Sequence, residues 1–448
     1  MGRDESMWAA AQGHQPPNAG TPDPVVIVSS DGHAVARMPD YRPYLPADMR
    51  EEFDAFCEVH RREGSRTIDP KSLLARMDPY LVDEWTATVI EPGRLAGQSD
   101  PAQRLTELDR QGVAAEVLFP DFGLAFELDP PVLAALKGQT RTPEQVEAAN
   151  RAHNRWLADF VSGAPDRFVG LAIVGFDDVE AAVAEIRWAK SAGLQGIVLP
   201  AVDESTPFYH ARHEPIWDVL EELGMPANSH TGISAITKAI PGGAVAAAPH
   251  PSCAFPILTS QGFFVTREIL THLIWGGVLE RHPDLQVVLT EQGSGWVVGA
   301  LTSMDYSYEG SYLRRDVREV VRHKPSEYFG RQCHLGSSLF SLAEAQARSE
   351  IGVDKIAIGV DYPHHEGTWG SGPGNVAYLR ATLGAAGVSA EEARLMLGGN
   401  AAALWKLDAD ALESRARLIG PSLQEILTPP THDYFPRGDV RKPLATGV

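Results

Sequence analysis

An α/β fold in which eight parallel strands close into a (β/α)8, or TIM, barrel is what this chain predicts, on three observations. From Val25 onward, short apolar runs alternate with amphipathic segments, the signature of successive βα units. Eight such runs occur, and outside one long interval after the first, each strand–helix–strand period takes about 30 to 60 residues, as a (β/α)8 barrel would give. The first and last runs both deliver acid and imidazole at their carboxyl ends. Val25-Val26-Ile27-Val28 leads into Ser29-Ser30-Asp31-Gly32-His33, and Lys355-Ile356-Ala357-Ile358-Gly359-Val360 leads into Asp361-Tyr362-Pro363-His364-His365-Glu366.

The expected strands are 25–29, 115–119, 168–173, 196–199, 226–229, 286–290, 331–335 and 355–359, the seventh being short and polar. Helices fit between them. In 179–193, Val179, Val183 and Ile186 recur at helical spacing and Gly193 supplies a left-handed C-cap. Pro215 suits a first helical turn, with Ile216, Trp217, Leu220 and Leu223 as the buried stripe before Gly224. Residues 150–161 and 389–404 read as further helices.

Around this barrel, residues 1–24 read as a disordered leader. Residues 34–113, rich in Pro, Arg, Asp and Glu, are too long for a structureless loop and are expected to form an insertion over the barrel mouth. Residues 231–261 read as a second, mobile loop on the same face, and 25–405 as the barrel as a whole. From 406 to 448 runs a Pro-containing C-terminal extension that either wraps the barrel or reaches a neighbouring subunit of a homodimer; the sequence leaves these alternatives open.

Composition removes several function classes. Apolar residues make up 44% of the chain, enough for a large core, and the formal charge of −20 argues against nucleic acid or an anionic membrane as partner. No apolar run approaches the ~20 residues of a membrane span. Cys57, Cys253 and Cys333 form no Cys-x-x-Cys pair, which suggests reduced thiols in a cytoplasmic protein. A small molecule is the expected partner.

All strands of a parallel barrel end at one face, so side chains just past those ends converge. Asp31 and His33 follow the first strand, His230 the fifth, Glu291 the sixth, and Asp361 and His364 the eighth. In Asp31-Gly32-His33 the two functional side chains share one side of an extended segment, and the glycine lets the backbone pass close to its neighbour. Taken singly, Asp31-Gly32 is as well read as a turn, His230 as a hydrogen-bonded loop histidine and Glu291 as the start of a helix. Six donors gathered at one rim point instead to a shared divalent metal, with zinc, manganese and iron all compatible with carboxylate and imidazole ligands.

With these residues in place, the chain resembles the amidohydrolase superfamily, in its amidohydrolase-related branch that includes aminocarboxymuconate-semialdehyde decarboxylase. The resemblance spans roughly 25–404. It is carried by Ser30-Asp31-Gly32-His33, Gly196-Ile197-Val198-Leu199-Pro200, Asn228-Ser229-His230-Thr231-Gly232 and Arg281-His282-Pro283-Asp284-Leu285. Further carriers are Glu291-Gln292-Gly293-Ser294-Gly295-Trp296, Asp361-Tyr362-Pro363-His364 and Gly398-Gly399-Asn400-Ala401-Ala402. It implies that Asp31, His33, His230 and Asp361 ligate a divalent metal and that Asp361 accepts a proton from metal-bound water. His230 and Glu291 join Asp361 as candidate catalytic groups.

Two departures from the family matter. Glu291 stands where a histidine is often found, and Leu199-Pro200 leaves no lysine to bridge two ions. A single ion needs about four protein ligands, or three plus water, so six candidates leave Glu291 and His364 free for a second ion. The expected activity is hydrolysis, or decarboxylation of an aromatic or enoic acid, on a small organic substrate. The alternatives are a dinuclear iron or manganese–iron monooxygenase on the same fold and a non-catalytic metal-binding barrel. Trp296, Trp369 and His365 are candidate pocket residues, with core packing the rival reading for the tryptophans. His210-Ala211-Arg212-His213 is expected to cap the helix opened by Pro215 rather than to bind metal.

Overall fold

The computed structural model describes residues 21–430, apart from 65–69, 75–76, 130–133, 135–136, 202–204, 232–252, 254–256, 258–259, 261–266, 311–313 and 371–373. The leader, most of the loop expected at 231–261 and the last part of the C-terminal extension therefore lie outside the described residues.

The strands are β1 (Val28–Ser29), β2 (His33–Ala34), β3 (Ala115–Pro120), β4 (Phe168–Ile173) and β5 (Gly196–Val198), then β6 (Ala227–His230), β7 (Val287–Thr290), β8 (Cys333–Ser338) and β9 (Ile356–Gly359). Every pairing is parallel, in the order β1-β3-β4-β5-β6-β7-β8-β9, and β2 continues the first stave against β3. The ends of this sheet meet: Ser30 N donates to Ile358 O at 3.1 Å, Asp361 N to Asp31 O at 3.0 Å and His33 N to Tyr362 O at 2.6 Å. Closure of a parallel sheet in this way is the eight-staved (β/α)8 barrel expected from the sequence.

The two-residue period of the strands divides the core. On β3, Val117 and Phe119 point into the barrel with Val169, Leu171, Val198, Val288 and Ala357, whereas Leu118 packs outward against the helices. Helix Val179–Ser191 begins at Asp178, whose side chain accepts from Ala181 N, and Gly193 follows at φ +92. Helix Glu214–Leu223 carries Pro in its first turn and ends at left-handed Gly224. His210 caps a short 3-10 turn by accepting from Arg212 N at 3.2 Å.

The seventh stave differs most from expectation. β8 runs on to Ser338, three residues beyond the predicted Leu335, because Gly336 pairs with both β7 and β9 and Ser337 and Ser338 continue the pairing with β9. These ladder contacts outweigh the weak strand propensity of Gly and Ser.

Residues 34–113 hold a series of short helices, among them Arg50–Glu63, Pro79–Trp85 and Arg94–Gln98, before helix Pro101–Gln111 leads into β3. Beyond the barrel, helices Ala409–Ile419 and Leu423–Leu427 fold back on the same chain. Val25 N donates to Pro421 O at 3.0 Å, Leu423 N donates to Asp23 O at 3.1 Å, and Trp405 and Leu412 join the barrel's interior cluster. Among the described residues no helix is long and apolar enough to cross a membrane.

Candidate metal centre

Asp31, His33, His230, Glu291, Asp361 and His364, the six donors singled out in the sequence, all reach one end of the barrel. Asp31, His33, His230 and Asp361 are almost wholly buried. Asp31 Oδ1 lies 3.2 Å from His230 Nε2 and 3.5 Å from His33 Nε2, and Asp361 Oδ1 lies 3.4 Å from His33 Nε2. One donor group comprises Asp31, His33 and His230 and a second Glu291, Asp361, His364 and Glu366, while a third, of His33, Asp361 and His364, links them; within each, the ligand atoms lie within 4.8 Å of one another.

Local geometry aims these side chains. A side chain at Gly32 would collide with the Glu116 carboxylate and come within 2.8 Å of Arg104 Nη2, so glycine alone lets the Asp31–His33 segment lie against β3. Beneath it, Arg104 Nε donates to Glu116 Oε2 at 2.7 Å and Nη1 to His33 O at 3.0 Å, with both side chains fully buried. Glu291 and Asp361 adopt left-handed backbone, φ +56 and +59, a costly conformation for non-glycine residues that turns each carboxylate inward just past its strand.

Hydrogen bonds assign the faces of the rings. His33 Nδ1 is 2.8 Å from Pro120 O, and His230 Nδ1 is 2.5 Å from Thr231 O. A carbonyl only accepts, so each Nδ1 carries a hydrogen, and in the neutral ring each Nε2 turns a lone pair toward the carboxylates. Lone pairs facing carboxylate oxygens repel in a buried place unless a positive charge lies among them. The orphaned atoms agree with this: His33 Nε2, both Asp361 carboxylate oxygens and His364 Nδ1 are buried and make no hydrogen bond. His364 Nδ1 comes within 2.9 Å of Asp361 Oδ1, but the approach lacks hydrogen-bond geometry. The residues present therefore fit a divalent ion with nitrogen and oxygen ligands.

The local field also favours positive charge. Burial opposes ionisation of Asp31, yet the His230 and His33 rings and the Ser338 hydroxyl hold its carboxyl below the ordinary range. At His364 burial works against the imidazolium, but the Asp361 and Asp121 carboxylates outweigh it and hold the ring well above its usual value. Burial first, then the charges of Asp361 and Asp31, push Glu291 well above the carboxylate range. An ion bound among these groups would reverse that last effect.

Three contributors were not identified from the sequence. Asp121, the first residue after β3, lies 3.4 Å from His364 Nε2 and is buried. Ser338, at the end of β8, donates to Asp31 Oδ2. Glu366, in the run after the eighth strand, offers an oxygen within the second donor group and lies 2.6 Å from His365 Nδ1. The strand-end rule, applied to β3, would have found Asp121; Ser338 was hidden because β8 was expected to stop short.

The pocket candidates are placed as follows. Trp369 is packed between Trp85 and Tyr362, its Nε1 donating to His364 O at 2.9 Å, so it braces the loop bearing His364 from behind. Trp296 opens helix Trp296–Glu309, half-buried, with Nε1 donating to Gly293 O at 2.9 Å. His365 meets Trp85 edge-on at 6.3 Å. A cleft of about 670 Å³ runs between the 34–100 segment and the loop after β3, lined by Val35, Met38, Ile90, Gln98 and Asp121 among others.

Comparison with known proteins places this geometry in a family. The family model described as amidohydrolase matches residues 93–407, more than half of the chain. A gamma-resorcylate decarboxylase of Rhizobium sp. (strain MTP-10005) is 24% identical over 318 residues, covering 68% of this chain and 86% of its own. The 5-carboxyvanillate decarboxylase LigW of Sphingomonas paucimobilis superposes with a TM-score of 0.57 at 20% identity, covering 86% of this chain and 100% of its own. A dihydroxybenzoic acid decarboxylase of Polaromonas sp. JS666, solved with bound manganese and the inhibitor 2-nitroresorcinol, gives 0.53 at 19% identity, covering 87% and 99%. On the match over 93–407, this chain belongs to the amidohydrolase family.

Proposed function

We propose that this chain is a metal-dependent carboxy-lyase that removes CO2 from a small aromatic or enoic acid, using a divalent ion held by Asp31, His33, His230 and Asp361. The observation that carries the reading is the meeting of two Nε2 atoms with two buried carboxylates, the Asp361 carboxylate oxygens making no hydrogen bond. The decarboxylase names of the relatives, and manganese in one solved neighbour, favour a carboxy-lyase with manganese over a hydrolase with zinc.

A bound divalent ion supplies a Lewis acid that polarises a substrate oxygen. The protein supplies the rest. Asp31 is fixed through Oδ2 by Ser338, so Oδ1 is the oxygen presented to the centre. His33 and His230 are locked by Pro120 and Thr231, which keeps their Nε2 atoms aimed. Asp361 faces the same point and is placed to hold a proton at a carboxylate oxygen. Glu291, at the more open side with Oε2 3.5 Å from His230 Nδ1, is placed to deliver one to the carbon that loses CO2. The loss of a carboxylate needs that proton, because the departing group leaves its electron pair behind.

The second reading is an oxygen-dependent dinuclear monooxygenase, for which a second ion would draw on the second donor group, with Glu291, His364 and Glu366 beside Asp361. One experiment separates the two. Protein loaded with manganese is incubated anaerobically with a panel of hydroxybenzoic acids, and CO2 is measured. Release of CO2 without oxygen supports the carboxy-lyase. Turnover only with iron, oxygen and reductant would replace it with the oxygenase.

A further inference from the structure

We propose that Asp121 is a positioning residue of the metal centre: its carboxylate, clamped by Gln98 and the Phe122 amide, takes Nε2–H of His364 and so aims Nδ1 of that ring at the ion subsite beside Asp361. The proposal rests on the reading that His364 faces an ion.

The geometry is a relay through one ring. Asp121 Oδ1 lies 3.4 Å from His364 Nε2, and the opposite ring nitrogen lies 2.9 Å from Asp361 Oδ1. The two imidazole nitrogens point in different directions, so engaging Nε2 decides which lone pair faces the buried carboxylates. A metal-binding histidine commonly gives its second N–H to a carboxylate or carbonyl, which fixes both tautomer and orientation. His33 and His230 use the Pro120 and Thr231 carbonyls for this, and His364 uses Asp121.

Asp121 is itself held on both oxygens. Phe122 N donates to Oδ1 at 2.7 Å and Gln98 Nε2 donates to Oδ2 at 2.5 Å. Gln98 ends the short helix Arg94–Gln98, and its carbonyl accepts from Val35 N at 3.0 Å. The segment between the first stave and β3 thus grips the carboxylate that orients a donor ring. Asp121 and Gln98 also line the 670 Å³ cleft. A plain loop staple would need only the Phe122 and Gln98 contacts; the turn of the carboxylate toward His364 is what it leaves unexplained.

The test titrates the metal-free full chain with Mn(II), reading free ion by electron paramagnetic resonance, and records the visible spectrum of the Co(II)-loaded form. Asp121→Ala is expected to weaken Mn(II) binding about ten- to a hundredfold and to shift the Co(II) bands. Asp121→Asn, which keeps an acceptor oxygen, is expected to lose less than about tenfold, and Gln98→Leu to change in the same direction by less than Asp121→Ala. An Asp121→Ala chain that melts like the parent, with parental Mn(II) affinity and an unchanged Co(II) spectrum, would overturn the proposal. Should Asp121→Ala fail to fold, the same null result in Gln98→Leu overturns it. A parent chain that binds neither ion refutes the metal reading beneath it, an outcome distinct from a parent that binds and a variant that binds equally.

Discussion

Asp31 Oδ1 stands 3.2 Å from His230 Nε2, although 199 residues separate the two in the chain. In the neutral ring, His230 Nδ1 gives its one hydrogen to the Thr231 carbonyl and Nε2 turns a lone pair to the carboxylate. The contact fits two ligands of one divalent cation.

His33→Ala and Asp361→Ala each remove a donor from a site built on a closed barrel. Bound manganese should fall at least about tenfold, and activity with it, since even residues behind the ligands cost that much. The circular dichroism spectrum should remain parental. Elemental analysis of the purified variants checks this, and full metal content in either would remove that residue from the ligand set.

Glu291→Gln separates one ion from two. Glutamine preserves size and hydrogen bonding but withdraws the charged oxygen, so metal content should drop from about two ions per chain to about one if the second donor group is filled. Unchanged stoichiometry would leave Glu291 to proton transfer alone.

Ser338→Ala deletes the donor to Asp31 Oδ2. A buried carboxylate oxygen left without its partner costs about 1–3 kcal/mol, and the freed side chain should bind manganese about tenfold more weakly. Calorimetric titration beside a thermal melt measures both; Ser338→Thr, which retains the hydroxyl, is expected to recover most of the affinity.

Arg104→Leu breaks a fully buried ion pair by removing one partner. Glu116 is then left charged in the core, and His33 O loses a donor, for a loss of about 3–5 kcal/mol of stability. A urea midpoint close to the parent's would show that Glu116 takes up a proton without penalty. The double change Arg104→Leu with Glu116→Leu is expected to be less harmful than the single one.

Acid should destabilise the fold through His153. Its ring is wholly buried, with Nδ1 3.1 Å from Tyr41 Oη, and burial brings it down to about 3. Because the folded value lies below the unfolded value of about 6.5, the unfolded chain takes the proton first. The stabilising contribution is complete above about pH 6.5 and shrinks as pH falls toward 3, by about 2 kcal/mol between pH 7 and pH 5. Half-buried His334, which desolvation brings down to about 4, acts in the same sense. Denaturation midpoints at pH 7 and 5 should differ less for His153→Gln than for the parent; an equal difference would remove His153 as a source of the acid sensitivity.

The alternation of apolar runs with amphipathic segments was enough to locate all eight staves, because a parallel sheet buried on both faces must read as short apolar runs. It was also enough to gather six donors, since a barrel brings the carboxyl ends of its strands to one rim whatever their distance in sequence. Gly193, Pro215 and Gly224 behaved as local rules require, each acting on its own turn of helix.

What local rules could not reach are the groups whose role depends on a neighbour from elsewhere. Ser338 is a weak strand former with no signal of its own, and it becomes a partner of Asp31 only because β8 lies between β7 and β9. Asp121 reads as a turn residue in Asp121-Phe122-Gly123 until His364 arrives opposite it. Sequence by itself determined the barrel and its ring of ligand-type side chains, through periodicities that each segment carries alone. Only the tertiary structure decided which lone pairs face one another and which carboxylate steers which ring, because hydrogen-bond direction is set by pairs of atoms that the folded chain alone brings within 3.5 Å.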